Sequence, residues 1–152
     1  MKKLCAVRHA SYNFETGHLN DYGKREAIVL ANSLASALGV VQATIVSSDI
    51  IRARETADFI AEKFGAPVAT HRFLSLDENS RERAMFKLSK LVKMYEKEGA
   101  EDLIFVTHEM QATFLPGYFA KERFGLDWDD PTIDKGTGWI IDCENKTLKL
   151  VP

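Results

Sequence analysis

The stretch Thr44-Ile45-Val46-Ser47-Ser48-Asp49-Ile50-Ile51-Arg52-Ala53-Arg54-Glu55-Thr56-Ala57 contains the unit from which the rest of the chain is built. Thr44-Ile45-Val46 is a short β-branched run, the composition that suits a buried strand. Ser47 and Ser48 stop it with side chains that favour turns and helix caps. From Asp49 or Ile50 onward the spacing changes. Ala53, Ala57, Ile60, Ala61 and Phe64 fall on one face of a helix that Gly65 and Pro67 close. A strand therefore passes through a two-serine turn into a helix. That passage leaves Arg52 and the free first-turn amides of the helix at the carboxyl end of the strand, where an anion is favoured.

The same alternation extends in both directions. Upstream, Leu4-Cys5-Ala6-Val7 reads as a strand ending in Arg8-His9, and residues 10–19, with Ser11, Asn13, Thr16 and Gly17, read as a loop. Asn20 suits an N-cap, and Ala27, Leu30, Ala31, Leu34 and Leu38 recur at helical spacing before Gly39. Downstream, residues 67–70 make a weaker strand. Ser80 caps a helix carrying Met85, Leu88, Leu91, Val92 and Tyr95 that ends near Gly99, and Leu103 to Val106 make a fourth strand. Residues 110–124 are expected to be helical for part of their length, with Pro116 and Gly117 interrupting the pattern. Residues 125–137 are polar and turn-rich. Trp139 to Cys143 and Thr147 to Val151 read as two strands joined by Glu144-Asn145-Lys146. Strands alternating with helices predict an α/β fold. The expectation is a three-layer α/β/α domain with a mostly parallel central sheet, an antiparallel edge from the C-terminal hairpin, and one domain over residues 1–152.

Composition narrows the class. The chain has 152 residues, 45% of them hydrophobic and 28% charged, which suits a folded domain and not a disordered segment. Twenty basic residues against twenty-two acidic ones give a net charge of −2, which lacks the strongly basic footprint of a nucleic-acid binder. Any anion site must therefore be made locally. Cys5 and Cys143 have no CxxC spacing and are expected to be buried free thiols. The apolar run after Met1-Lys2-Lys3 spans only Leu4 to Val7, short of the about 7–15 residues of a signal sequence. No run approaches a membrane span. A cytoplasmic protein with no nucleic-acid or membrane partner is expected.

Ligands of parallel α/β sheets lie outside the carboxyl ends of the strands. Arg8-His9 follows the first strand. Ser47-Ser48 and Arg52 follow the second, Asp77 and Glu78 the third, and Thr107-His108-Glu109 the fourth. Two arginines and two histidines on one rim suit a phosphoryl group. Arginine is always charged and its planar fork matches phosphate oxygens, and a neutral imidazole is a nucleophile near pH 7. Other polar residues read as plain structure. Arg54 points away from Arg52 on the helix, Ser47 and Ser48 are turn and cap residues, and His18 and His71 are surface or boundary histidines. His108-Glu109 lacks zinc-ligand spacing because Ala112 stands where a second histidine would be needed.

Taken together, these segments resemble the histidine phosphatase, or phosphoglycerate mutase-like, superfamily. Arg8-His9-Ala10 is similar to its Arg-His-Gly motif and Leu19-Asn20-Asp21-Tyr22-Gly23 to its Leu-Thr-x-x-Gly segment. Residues 47–57 are similar to its Ser-Ser-x-x-x-Arg-Ala-x-x-Thr-Ala segment, and Val106-Thr107-His108 to its second histidine motif. Leu76-Asp77-Glu78 resembles the segment that carries a proton donor in many members. The resemblance runs from residue 4 to about 110, and the chain's length places it with the short phosphatase branch, which includes phosphohistidine protein phosphatases.

The resemblance implies a metal-independent phosphomonoesterase that needs no cofactor. His9 would carry the phosphoryl group, and Arg8, Arg52 and His108 would hold its oxygens, with Asn13 as a further phosphate contact. Glu78 would be the general acid, with Asp77, Glu109 or no residue as alternatives. The substrate would be a phosphorylated small molecule or a phosphoprotein. Ala10, Asn20 and Glu109 depart from the family pattern. Ala10 and Glu109 keep open a non-catalytic phosphate- or phosphoprotein-binding module, whereas Asn20 is a mild change in a helix cap, and a phosphomutase stands behind both because the chain has no room for the longer mutase insertions. Specificity is expected in residues 10–19, 74–84 and 110–137, since loops carry this kind of variation.

Overall fold

Leu4, Cys5, Ala6 and Val7 are all buried, and so are Leu103, Ile104, Phe105 and Val106. Uninterrupted burial of consecutive strand residues requires a sheet covered on both faces. The computed structural model describes residues 1–39, 42–75 and 80–152. In these residues the strands are β1 (Lys3–Arg8), β2 (Thr44–Ser47), β3 (Val68–Thr70), β4 (Asp102–Thr107), β5 (Gly138–Asp142) and β6 (Thr147–Val151), in the spatial order β3-β2-β4-β1-β5-β6. The pairs β3–β2, β2–β4 and β4–β1 are parallel, whereas β1–β5 and β5–β6 are antiparallel. The mostly parallel sheet with its C-terminal antiparallel edge is as expected from the sequence.

Helices α1 (Asp21–Leu38) and α2 (Ile51–Phe64) pack with Cys5, Val7, Ile45, Ile104 and Val106 on one face. Helices α3 (Arg81–Lys97) and α4 (Glu109–Phe124) pack with Leu4, Ala6, Val46, Leu103 and Phe105 on the other. Alternate residues of each central strand therefore enter opposite cores, because successive strand side chains point to opposite faces. The caps are those read locally. Asn20 Oδ1 accepts from Gly23 N at 2.7 Å, Ser80 Oγ accepts from Arg83 N at 3.1 Å, and Gly39 and Gly65 end α1 and α2 in the left-handed region. Cys5 and Cys143 are both free, Cys5 fully buried and Cys143 only partly.

Helix α4 corrects one expectation. It runs without a break through Pro116 and Gly117. Proline in a helix interior removes one backbone hydrogen bond. Here Ala112, Leu115, Phe119 and Ala120 are buried along one side of α4, so packing on the sheet holds the helix together. Gly117 has a separate reason. A Cβ there would lie 3.4 Å from the Trp128 carbonyl and 2.2 Å from Asp130 Oδ1, so its absence lets the following segment fold back closely.

Gly23 serves the site more directly. It lies in the first turn of α1, and a Cβ on it would stand 1.8 Å from the carbonyl oxygen of Ser11, in the loop that follows His9. Contact with a backbone atom cannot be relieved by rotating a side chain. Gly23→Ala is expected to lower stability by about 1–3 kcal/mol through overpacking, read as a lower urea midpoint. An unchanged midpoint would mean that α1 and the loop can separate freely.

Candidate active site

Val106 of β4 pairs with Val7 of β1 on one side and with Ser47 of β2 on the other. The three strands thus end at one level, and Arg8-His9, Ser48 and His108 follow immediately. His9 and His108 are 4% and 1% exposed, with ring centres 5.2 Å apart. Arg52, the second residue of α2, reaches back and donates from Nε to His9 Nε2 at 3.2 Å. The residues singled out at three separate strand ends therefore meet.

The tautomer of His9 follows from its partner. Nδ1 lies 2.9 Å from the Ala10 carbonyl oxygen, which can only accept, so Nδ1 carries the proton and Nε2 keeps its lone pair. Burial pushes the His9 imidazole from the ordinary 6.5 down to about 4, and the charges of Arg52, Arg8 and Lys135 add to this, against the Ala10 hydrogen bond. His108 is pushed down to about 3, again chiefly by burial, with His9, Arg52 and Arg8 contributing. Both rings are thus neutral near pH 7, and the fixed positive charge belongs to the arginines.

Arg8 is placed by two partners. Nη1 donates to the Ile133 carbonyl at 2.7 Å, and Nη2 lies 3.3 Å from Glu109 Oε2, a carboxylate that opens α4 and is more than half exposed. Its buried Nε has no partner among the described residues, and neither does His108 Nδ1. Buried polar atoms are rarely left unpaired, and these two face the crevice between the arginines and histidines, where a ligand could satisfy them. His108 Nε2 is 2.9 Å from Ser48 Oγ, an oxygen that accepts from Ile50 N and lies 3.2 Å from Ser75 Oγ. The two serines read as turn and cap residues include one that also orients a histidine.

Other predicted residues fall differently. Asn13 is exposed, and its Oδ1 accepts from Glu15 N and Thr16 N within its own turn. Arg54 is on the outer surface paired with Asp58, and His18 is exposed beside Glu55. His71 caps the turn at Arg72–Leu74 by accepting from Phe73 N. Asp77 and Glu78 lie outside the described residues. The chain before them is tied to the site. Thr107 Oγ1 donates to the Leu74 carbonyl at 2.6 Å, and Gln111 Nε2 to the Ser75 carbonyl at 2.7 Å.

A family profile described as histidine phosphatase superfamily (branch 1) matches residues 4–85, more than half of the chain. The chain belongs to the histidine phosphatase superfamily. No curated protein sequence matches it. Solved structures of similar fold include a mycobacterial glucosyl-3-phosphoglycerate phosphatase at 16% identity and TM-score 0.69, covering 99% of this chain and 97% of that one. The protein histidine phosphatase SixA bound to tungstate is similar at 17% identity and TM-score 0.70, covering 98% and 96%. An Escherichia coli protein described as an α-ribazole-5'-phosphate phosphatase reaches 16% and 0.65, covering 98% and 94%. At these identities the likeness is one of fold.

In this histidine phosphatase, three contributors to the site carried no assigned role from the sequence, although Thr56 lies in the matched family segment. Thr56 Oγ1 accepts from Ala10 N at 3.0 Å and donates to the Arg52 carbonyl at 2.8 Å, so it joins the His9 loop to α2. Its position four residues after Arg52, on the same helix face, was the available signal. Tyr12 stands edge-on to His9 at 5.3 Å with Arg52 Cζ 4.5 Å from its ring centre, and Lys135 lies beyond it. Nothing local marked either residue. The histidine phosphatase chain has no helix, among the described residues, long and apolar enough to cross a membrane.

The depressed histidines set a pH dependence. Between about pH 4 and 6.5 the unfolded chain holds protons on these imidazoles that the folded chain does not. Stability therefore rises with pH across that window, by up to about 1.4 kcal/mol per pH unit for each histidine. Urea midpoints measured from pH 4.5 to 7 should climb, and His108→Asn should flatten the climb. An identical slope in the variant would show that His108 is not held neutral.

Proposed function

We propose that this chain, a phosphatase by its family, hydrolyses phosphomonoesters without a metal through a phosphoryl group carried on His9 Nε2. The observation that carries this reading is the Ala10 carbonyl on Nδ1, which leaves a buried, neutral Nε2 in contact with the Arg52 guanidinium and within the field of Arg8. Nε2 attacks phosphorus in line, the bond from phosphorus to the leaving oxygen breaks, and water later attacks phosphorus to release phosphate and restore the imidazole. Arg8, Arg52 and His108 hold the non-bridging oxygens as charge shifts onto them. Arg52 already donates towards Nε2, so a phosphoryl group arriving there meets its guanidinium. Asn13 can contribute only its amide N–H groups, because its oxygen holds its own turn.

The leaving oxygen needs a proton unless the leaving group is already stable. We assign this to Glu78, supported by the anchoring of Leu74 and Ser75 at the site, four and three residues earlier. Asp77 and Glu109 are the alternatives, and Glu109 is in contact with Arg8. Its substrate is a phosphorylated small molecule or a phosphoprotein, a range that matches the named activities of the structural relatives. A cytoplasmic location belongs to the same reading and is supported by the two unpaired thiols.

His9→Ala is expected to remove turnover by about a thousandfold or more, and Arg52→Ala to lower kcat/KM by about 10²–10³. Acid-labile radiolabel on wild-type protein but not on His9→Ala would register the intermediate. Substantial hydrolysis by His9→Ala would sink it. Glu78→Ala should slow ethyl phosphate far more than p-nitrophenyl phosphate. Equal losses on both esters, with the selective loss found instead in Glu109→Gln, would move the acid to Glu109.

A further inference from the structure

Lys135 is anchored beside the site through its neighbours. Gly136 N donates to the carbonyls of Arg8 and His9 at 3.2 and 3.1 Å, and Arg8 N donates to the Thr137 carbonyl at 2.9 Å. Held there, the half-buried Lys135 puts its ammonium 5.5 Å from the Tyr12 ring centre and 5.6 Å from that of Phe14. Tyr12 is in turn 5.3 Å from the His9 ring, so imidazole and ammonium are separated by one aromatic side chain, within the length of a small molecule. No carboxylate among the described residues pairs with Lys135. Asp134 next to it is exposed, and Glu26, beside Gly136, has Oε1 committed to Ser11 N.

Phe14 also calls for an explanation. It is 80% exposed, yet it stands edge-on to Tyr12 at 4.9 Å. A cation over two rings beside a phosphoryl site offers an apolar edge and one further positive charge. Arg8 and Arg52 are already turned towards His9 and Glu109, whereas Lys135 is a compact charge with three donors on a flexible stem and can follow a group attached to the substrate.

We propose that Lys135 binds a second anionic group of the substrate, across Tyr12 from His9, so that this chain acts on small phosphate esters carrying a carboxylate or another phosphoryl group a few bonds from the scissile oxygen. The carbon skeleton between the two anions lies along the Tyr12 and Phe14 edge. This rests on the phosphatase reading above. Short reach favours a small doubly anionic ester over a phosphoprotein.

The test compares 2-phosphoglycolate with ethyl phosphate, alkyl esters that differ by a carboxylate, in wild type, Lys135→Met and Lys135→Arg. Wild type should prefer phosphoglycolate in kcat/KM. The preference should fall about tenfold in Lys135→Met, the scale of one charge-assisted contact, and largely survive in Lys135→Arg. A second arm measures calorimetric binding of inorganic pyrophosphate and inorganic phosphate to the same proteins. Pyrophosphate should bind more tightly, with the difference lost in Lys135→Met. A Lys135-dependent preference in either arm supports the proposal and tells whether the second group is a carboxylate or a phosphoryl. No such dependence in both arms overturns it, as does a phosphopeptide preferred over both esters in every variant. Failure of wild type to hydrolyse any ester strikes the phosphatase reading alone, because the binding arm still decides the role of Lys135.

Discussion

Parallel pairing brings Val106 level with Val7 and Ser47 at once, because β4 lies between β1 and β2. In chain order β1 is followed by β2, so the first crossover must pass over the place that β4 later fills. That reversal opens the crevice in which α/β sheets bind ligands. Arg8, His9, Ser48 and His108 come from residues just past the shared level, and Arg52 from the first turn of the helix after β2. A register slip of one residue would exchange the two faces of a strand. The apolar residues on both faces of β1 and β4 therefore hold the site chemistry in place.

Within that frame the site is electrostatically lopsided. Two imidazoles are buried beside two guanidinium groups, and burial together with the neighbouring charges keeps them neutral. Net charge over the chain is −2, so the positive field is local, and association gains little from long-range steering. Glu109 and the Ile133 carbonyl hold Arg8 in this site. Glu109 departs from the family pattern, and it serves here as a partner for an arginine that would otherwise stand beside another cation without a counter-charge.

Hydroxyl and carboxylate side chains tie the loops to the helices around the crevice. Thr56 links Ala10 to α2, Glu26 holds Ser11 N, and Glu55 holds Leu19 N. The departure at Ala10 is absorbed quietly, since Ala10 is fully buried and packs with Leu19 and Ala27. The loop carrying Tyr12 and Phe14 is thus braced at both ends while its aromatic tip stays in solvent.

What was legible in the sequence was what is local or repeated. Caps at Asn20 and Ser80, stops at Gly39 and Gly65, and uniformly apolar strands depend on hydrogen bonds and periodicities a few residues long, so the residues themselves determined the helices and most of the sheet. Arg8, His9, Arg52 and His108 were legible because each stands at or just after a strand end within a recognisable motif. Three-dimensional packing alone decided the rest. Burial of one helix side carried α4 through Pro116, against the local preference. The Ala10–Thr56 bond spans 46 residues and the Arg8–Ile133 bond 125, and the meeting of Lys135 with Tyr12 crosses a similar gap. Contacts at such separations follow from how the sheet brings distant loops together, and no spacing along the chain encodes them.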